Sequence, residues 1–216
     1  NLLFKKWFDN LDQAAKEGKP GAYVFVMGSM AEILHTFDLP IIYPEITSLQ
    51  TAVRQHSAEL LNEAEDHGYS PDICGYVKAD YAIQARGGEH PMGKLPTPGL
   101  ALLTNACNTY MKWGEIWERM FETPLFTLDV PGTRQNGTQT WPGDPQFESE
   151  KRYVLGQLEE LIETCEDITG KKFNMDKLKQ TLEYSNRMSR AWKEIIECNQ
   201  GNAAVFYALS DGTSYL

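Results

Sequence analysis

Two cysteines stand where a thiol can do chemistry. Cys74 lies in "SPDICGYVKADY", residues 70–81, just inside what reads as the first turn of a helix, and Cys107 directly precedes the helical pattern "NTYMKWGEIWERMF". At a helix N-terminus the unpaired backbone N–H groups and the positive dipole end stabilise a thiolate. The thiolate is the form that ligates metal or attacks an electrophile. Free cysteine is also among the most buried residue types, so spacing alone leaves ligand, nucleophile and packing thiol open. No CxxC or zinc-finger spacing occurs, which argues against a structural zinc site. Two further polar residues follow apolar runs: Ser29 after "AYVFVM" and Glu45 after "PIIY". Glu45, next to Pro44, equally reads as the opening of a helix.

Other motifs carry less. "GEHPMGKL", residues 88–95, approaches a phosphate-binding loop, but Leu95 stands where the magnesium-binding hydroxyl belongs and Pro91 and Pro96 interrupt it. A nucleotide-hydrolysing loop is rejected; an ordinary solvated loop is expected, with a lid carrying Arg86 and Lys94 as the alternative. Cys165 and Cys198 fall on apolar helical stripes and read as packing residues. The histidines at 35, 56, 67 and 90 show no ligand spacing, and His56 and His67 lie on a polar face.

The elements that must position these groups alternate. Residues 1–19 have helical spacing and end at Gly18 and Pro20. "GAYVFVMGS" reads as a buried strand, "MAEILHTFDL" as a helix and "PIIYPE" as a short strand. "SLQTAVRQHSAELLNEAEDHG" reads as one long amphipathic helix capped at Gly68. After the Cys74 helix, residues 87–99 form a loop, "LALLTNA" a strand, "NTYMKWGEIWERMF" a helix and "PLFTLDV" a strand. Residues 131–147 are an irregular connection. Two long helices follow, 148–169 and 175–199, separated by "TGKKFN" with Gly170 as C-cap, and "NAAVFYALS" closes the chain as a strand or buried segment.

Strands alternating with helices predict an α/β fold, a parallel sheet flanked by helices in a Rossmann-like half. The expected organisation is an α/β domain over 1–147 and a helical segment over 148–216. Ligand sites in such sheets lie beyond the carboxyl ends of the strands. Ser29, Glu45 and Cys107 all fall there, with Cys74 in the same region.

The 216 residues carry a net charge of −10, which argues against a non-specific nucleic-acid partner. No apolar run spans a bilayer, so no membrane role is expected. Four cysteines do not make a disulfide scaffold and favour a reducing cytoplasm. The sequon at Asn136 is then incidental. The chain opens without methionine and stops directly after an apolar run, which suggests part of a longer polypeptide.

The runs "YPEITSLQ" at 43–50, "DICGYVKADYA" at 72–82 and "LLTNACNTYMKWGEIW" at 102–117 resemble the benzoyl-CoA reductase and 2-hydroxyacyl-CoA dehydratase family. Within it the likeness leans to a substrate-binding subunit of the ATP-dependent benzoyl-CoA reductases, and it runs from about residue 20 onward. The resemblance implies a [4Fe–4S] cluster held by three cysteines, of which Cys74 and Cys107 match the first two. The third is expected downstream, in a second α/β domain, and neither Cys165 nor Cys198 fits it. Glu45 matches an acidic position close to the cluster, and Ser29 falls near a serine that assists in the dehydratases. The implied partners are an acyl-CoA substrate, a related second catalytic subunit and an ATP-hydrolysing iron–sulfur activator. The implied activity is one-electron dearomatisation of an aromatic acyl-CoA; radical elimination of water from a 2-hydroxyacyl-CoA is the alternative.

Overall fold

The computed structural model describes residues 2–26, 28–131, 141–201, 203 and 205–207. Helix α1 (Leu2–Lys16) leads into strand β1 (Gly21–Val24), followed by one turn of helix α2 (Ala31–Leu34) and strand β2 (Ile41–Ile42). Helices α3 (Pro44–Val53), α4 (Ser57–Asp66) and α5 (Gly75–Ala85) then lead to strand β3 (Pro98–Thr104). Helix α6 (Asn108–Phe121), strand β4 (Leu125–Leu128) and helices α7 (Pro145–Thr169) and α8 (Met175–Glu197) complete the order. The four strands form one sheet, β2-β1-β3-β4, and every pairing is parallel. The parallel sheet flanked by helices is the one expected from the alternation of apolar runs and helices.

Period-two alternation divides the core between the two faces of the sheet. Tyr23, Phe25, Ala101 and Leu103 point to one face, where they pack with Val77, Ile83, Trp113 and Trp117 of α5 and α6. Ala22, Val24, Leu100 and Leu102 point to the other, packed with Leu34, Leu161 and Cys165. The strand order reverses between β1 and β3. The connection from β1 runs outward to β2 on the second face, whereas α5 and α6 cover the first face, as right-handed crossovers require.

Several local expectations change. The long helix expected over 48–68 is two helices, because Gln55 takes a left-handed φ of 63° between them. Pro44 opens α3 at its first turn, where its fixed φ and missing N–H cost nothing, so the second strand shrinks to two residues. The segment "MAEILHTFDL" makes one α-turn and then a 3-10 turn, His35–Phe37, before Asp38 turns left-handed at φ 57°. Residues 87–97 are not a solvated loop: His90 and Leu95 are buried, and β3 already begins at Pro98. Val205 and Tyr207 are exposed and outside any strand, so the described part of "NAAVFYALS" does not form the expected buried segment. Asn199 instead ties this stretch down, its side chain accepting from Val205 N at 3.0 Å and Phe206 N at 2.9 Å. The sequon at Asn136 lies outside the described residues. Among the described residues no helix is long and apolar enough to cross a membrane.

Candidate functional site

The site builds outward from the carboxyl edge of the sheet. Cys74 is the N-cap residue of α5 and Cys107 the N-cap residue of α6, both with extended ψ, and neither thiol caps its own helix. Cys74 is exposed and Cys107 half-buried. One cleft of about 520 Å³ runs between the two helix starts, lined by Cys74, Val77, Asn108, Thr109, Lys112 and Ile116 among others. Cys74 and the residues directly after Cys107 therefore face a common space.

Each cysteine loop is held from outside. The ammonium of Lys78, itself buried, donates to Pro71 O at 3.0 Å and to Glu65 Oε1 at 2.5 Å, which pins the turn carrying Cys74. Ser48 Oγ of α3 donates to Tyr76 O at 2.9 Å in the first turn of α5. On the other side, Asn105 reaches past the end of β3: its Oδ1 accepts from Val130 N at 3.0 Å, and its amide donates to Val130 O and Asp129. Gly28, at φ 78°, lets the loop after β1 pass over the end of β3, where a Cβ would stand 2.7 Å from Thr104 Cγ2.

Glu45 lies in the first turn of α3, but its carboxylate serves neighbouring elements. Oε2 accepts from Val26 N at 2.6 Å and Oε1 from the Tyr110 hydroxyl at 2.7 Å. Tyr110 belongs to the first turn of α6, its N–H donating to Cys107 O at 3.0 Å, and its ring stacks on Phe25 at 3.8 Å. Glu45 is thus clamped between the end of β1 and the Cys107 helix. Ser29 occupies the same edge, its Oγ accepting from Ala31 N at 3.4 Å and engaging the Tyr43 hydroxyl. Its hydrogen bonds run to the β2 side and not to Glu45. Burial holds the Tyr43 phenol above its ordinary range, against the opposing effect of the Ser29 bond.

Behind the cleft, Asp80 is fully buried and takes hydrogen bonds from Trp113, Trp117 and Gln84. Burial pushes its carboxyl up to about 6. Asp80, Tyr110 and Lys78 were not visible as site residues in the sequence. The one cue the sequence offers for Asp80 is a carboxylate between Val77 and Ile83 on a helix face otherwise apolar except for Gln84, and that cue does not say what the carboxylate meets.

The remaining motif residues fall elsewhere. Arg86 pairs with Glu59 and Glu63 of α4. Cys165 is buried, and burial alone pushes its thiol up to about 11, so it packs as expected. Cys198 does not: it is exposed at the C-cap of α8, a helix with no buried residue among those described. His56 and His67 are exposed as expected, whereas His90 is buried against Phe8. Among the described residues no group of three or more His, Cys, Asp or Glu converges as a complete metal site. Cys74 and Cys107 are chemically suited to iron–sulfur ligation, and as a pair they fall short of the three or four ligands a cluster takes.

Comparison with known proteins adds relatives. Over 213 residues the chain is 30% identical to a subunit of benzoyl-CoA reductase from Thauera aromatica, covering 97% of this chain and 47% of that protein. It is 30% identical over 194 residues to the alpha subunit of (R)-2-hydroxyisocaproyl-CoA dehydratase from Clostridioides difficile, covering 89% and 45%. It is 24% identical over 248 residues to the alpha subunit of (R)-2-hydroxyglutaryl-CoA dehydratase from Acidaminococcus fermentans, covering 81% and 50%. The chain spans about half the length of the curated relatives it matches. The family described as "2-hydroxyglutaryl-CoA dehydratase, D-component" matches residues 26–210, and the chain belongs to that family.

Proposed function

We propose that this chain forms the half of an acyl-CoA-transforming enzyme subunit that supplies two cysteine ligands to a [4Fe–4S] cluster. The observation that carries the reading is the placement of Cys74 and Cys107 at two helix N-termini that open on one cleft, in a family whose relatives are named for CoA thioesters. The third ligand comes from a second α/β domain outside these 216 residues. Bound there, such a cluster supplies low-potential electrons one at a time.

The chain's own residues hold and shield. Cys74 and Cys107 open α5 and α6 at their N-caps, the ends of a helix that suit an anionic ligand set. Glu45, fixed by Val26 and Tyr110, moves a proton to or from the substrate beside the cysteines, and Ser29 assists from the β2 side. The buried aromatic layer of Phe25, Tyr110, Trp113 and Trp117 keeps water from the rear of the site. The partners in this reading are the acyl-CoA, a related second subunit and an ATP-hydrolysing iron–sulfur activator in a reducing cytoplasm.

The reaction we favour is reduction of an aromatic acyl-CoA, supported by the reductase relative matching 97% of this chain. Dehydration of a 2-hydroxyacyl-CoA is the second reading, supported by the family description and by the dehydratases among the relatives. Anaerobic turnover of the full-length protein with its partners separates them. Benzoyl-CoA should give a ring-reduced thioester with stoichiometric consumption of reductant. A 2-enoyl-CoA formed from a 2-hydroxyacyl-CoA without net reductant would replace the first reading by the second.

A further inference from the structure

One buried carboxylate joins the two cysteine-bearing helices. Asp80 Oδ2, on α5, accepts from Trp113 Nε1 at 2.7 Å and from Trp117 Nε1 at 2.8 Å, both on α6. Its Oδ1 accepts from Gln84 Nε2 at 3.2 Å, and the same amide reaches the Tyr23 hydroxyl of β1 at 2.9 Å. The Tyr23 hydroxyl in turn donates to Pro96 O at 2.7 Å. The groups facing Asp80 are all neutral donors, and among the described residues no cation pairs with it.

Such a group is expensive. A buried carboxylate loses its hydration, and apolar side chains of similar volume commonly serve a core as well or better. What hydrogen bonds add is direction: two short N–H···O bonds on one oxygen restrict how α6 slides or turns along α5, which interdigitated apolar groups allow more freely. The placement gives that restriction a purpose. Cys74 precedes Asp80 by six residues and Cys107 precedes Trp113 by six, about 9 Å along a helix in both cases. Both helices run back along the same face of a parallel sheet. A tie between Asp80 and Trp113 therefore holds the two N-caps level.

We propose that Asp80 is the positioning residue that sets the separation of Cys74 and Cys107, by locking α5 and α6 in register through both indole N–H groups. The role rests on the reading of the two cysteines as one ligand pair, but its test does not require the cluster. Full-length protein freed of metal is treated with bis-maleimides of stepped length, and peptides joining Cys74 to Cys107 are quantified by mass spectrometry. Asp80→Leu removes the acceptor at similar volume, whereas Asp80→Asn keeps one carbonyl oxygen for both indoles. Cross-linking by the shortest effective reagent should fall several-fold in Asp80→Leu and return in Asp80→Asn, because thiol pairing depends steeply on separation. Equal yields in wild type and Asp80→Leu overturn the proposal, as does an equal loss in both variants. Should Asp80→Leu not fold, Trp113→Phe removes one donor and keeps an aromatic ring. An intermediate yield then supports the tie, and a wild-type yield overturns it. Iron content, measured separately, decides the cluster reading, so failure of either is distinguishable.

Discussion

Buried titratable residues set how this chain responds to pH, and two of them act in opposite directions. Burial raises the Asp80 carboxyl from 3.8 to about 6, so between those values the folded state holds a proton the unfolded state has released. Stability contributed at low pH is therefore lost as pH rises to about 6, on the order of 3 kcal/mol. His90 is lowered from 6.5 to about 4, chiefly by burial, with Nε2 donating to Thr47 O at 3.0 Å and Nδ1 accepting from Met92 N at 3.1 Å. Below 6.5 the unfolded state takes up a proton the folded state refuses, so stability is lost as pH falls to about 4, again by about 3 kcal/mol. The two effects nearly cancel in the wild type. Urea unfolding across pH 4–6.5 should show Asp80→Asn gaining stability with rising pH relative to wild type, and His90→Gln losing it. Difference profiles that stay flat for both would contradict these environments. Neither residue was readable in advance, since Asp80 meets indoles 33 and 37 positions away and His90 meets Thr47 and Phe8. The two cysteines were readable, because an N-cap position depends on only a few flanking residues.

At the scale of elements, α6 carries the site's alignment. It lies close on β3 because Gly114 has no side chain: an added Cβ would stand 2.5 Å from Leu103 Cδ1, and Leu103 is itself fully buried. Gly114→Ala should cost about 1–3 kcal/mol by overpacking, lowering Tm by roughly 2–12 °C for a chain of this size. It should also displace Cys107 and Tyr110 together, which thermal melts alongside alkylation of Cys107 would reveal. An unchanged Tm with unchanged Cys107 reactivity would show that α6 is not held this tightly. Strands and long helices were legible from their apolar periods. The break at Gln55 was not: helical spacing continues through it, and only tertiary packing turns that residue left-handed. The packed turn at His90 escaped for a related reason, since Gly- and Pro-rich composition signals a loop without saying what buries it.

Over the whole molecule, the order β2-β1-β3-β4 explains why residues far apart in sequence meet. β1 and β3 are adjacent and parallel, so the loops after them, with Val26 and Cys107, lie at one edge beside Glu45. That convergence was legible once strands were assigned, because parallel sheets gather their functional loops at the carboxyl ends. The pairing of Glu45 with Tyr110 was not, as it depends on how α3 and α6 face each other across the edge. The second face is closed by Leu161 and Cys165 of α7, whereas the cysteine side of the sheet is covered by α5 and α6, with Phe8 and Leu11 of α1 and Leu60 of α4 packed into the same core. Iron and acid-labile sulfide in anaerobically purified full-length protein decide whether this edge holds the proposed iron–sulfur cluster. About four of each per subunit, lost or made labile in Cys74→Ser and in Cys107→Ser, is the predicted result. No iron in the unmutated protein, or full iron in both serine variants, would contradict it.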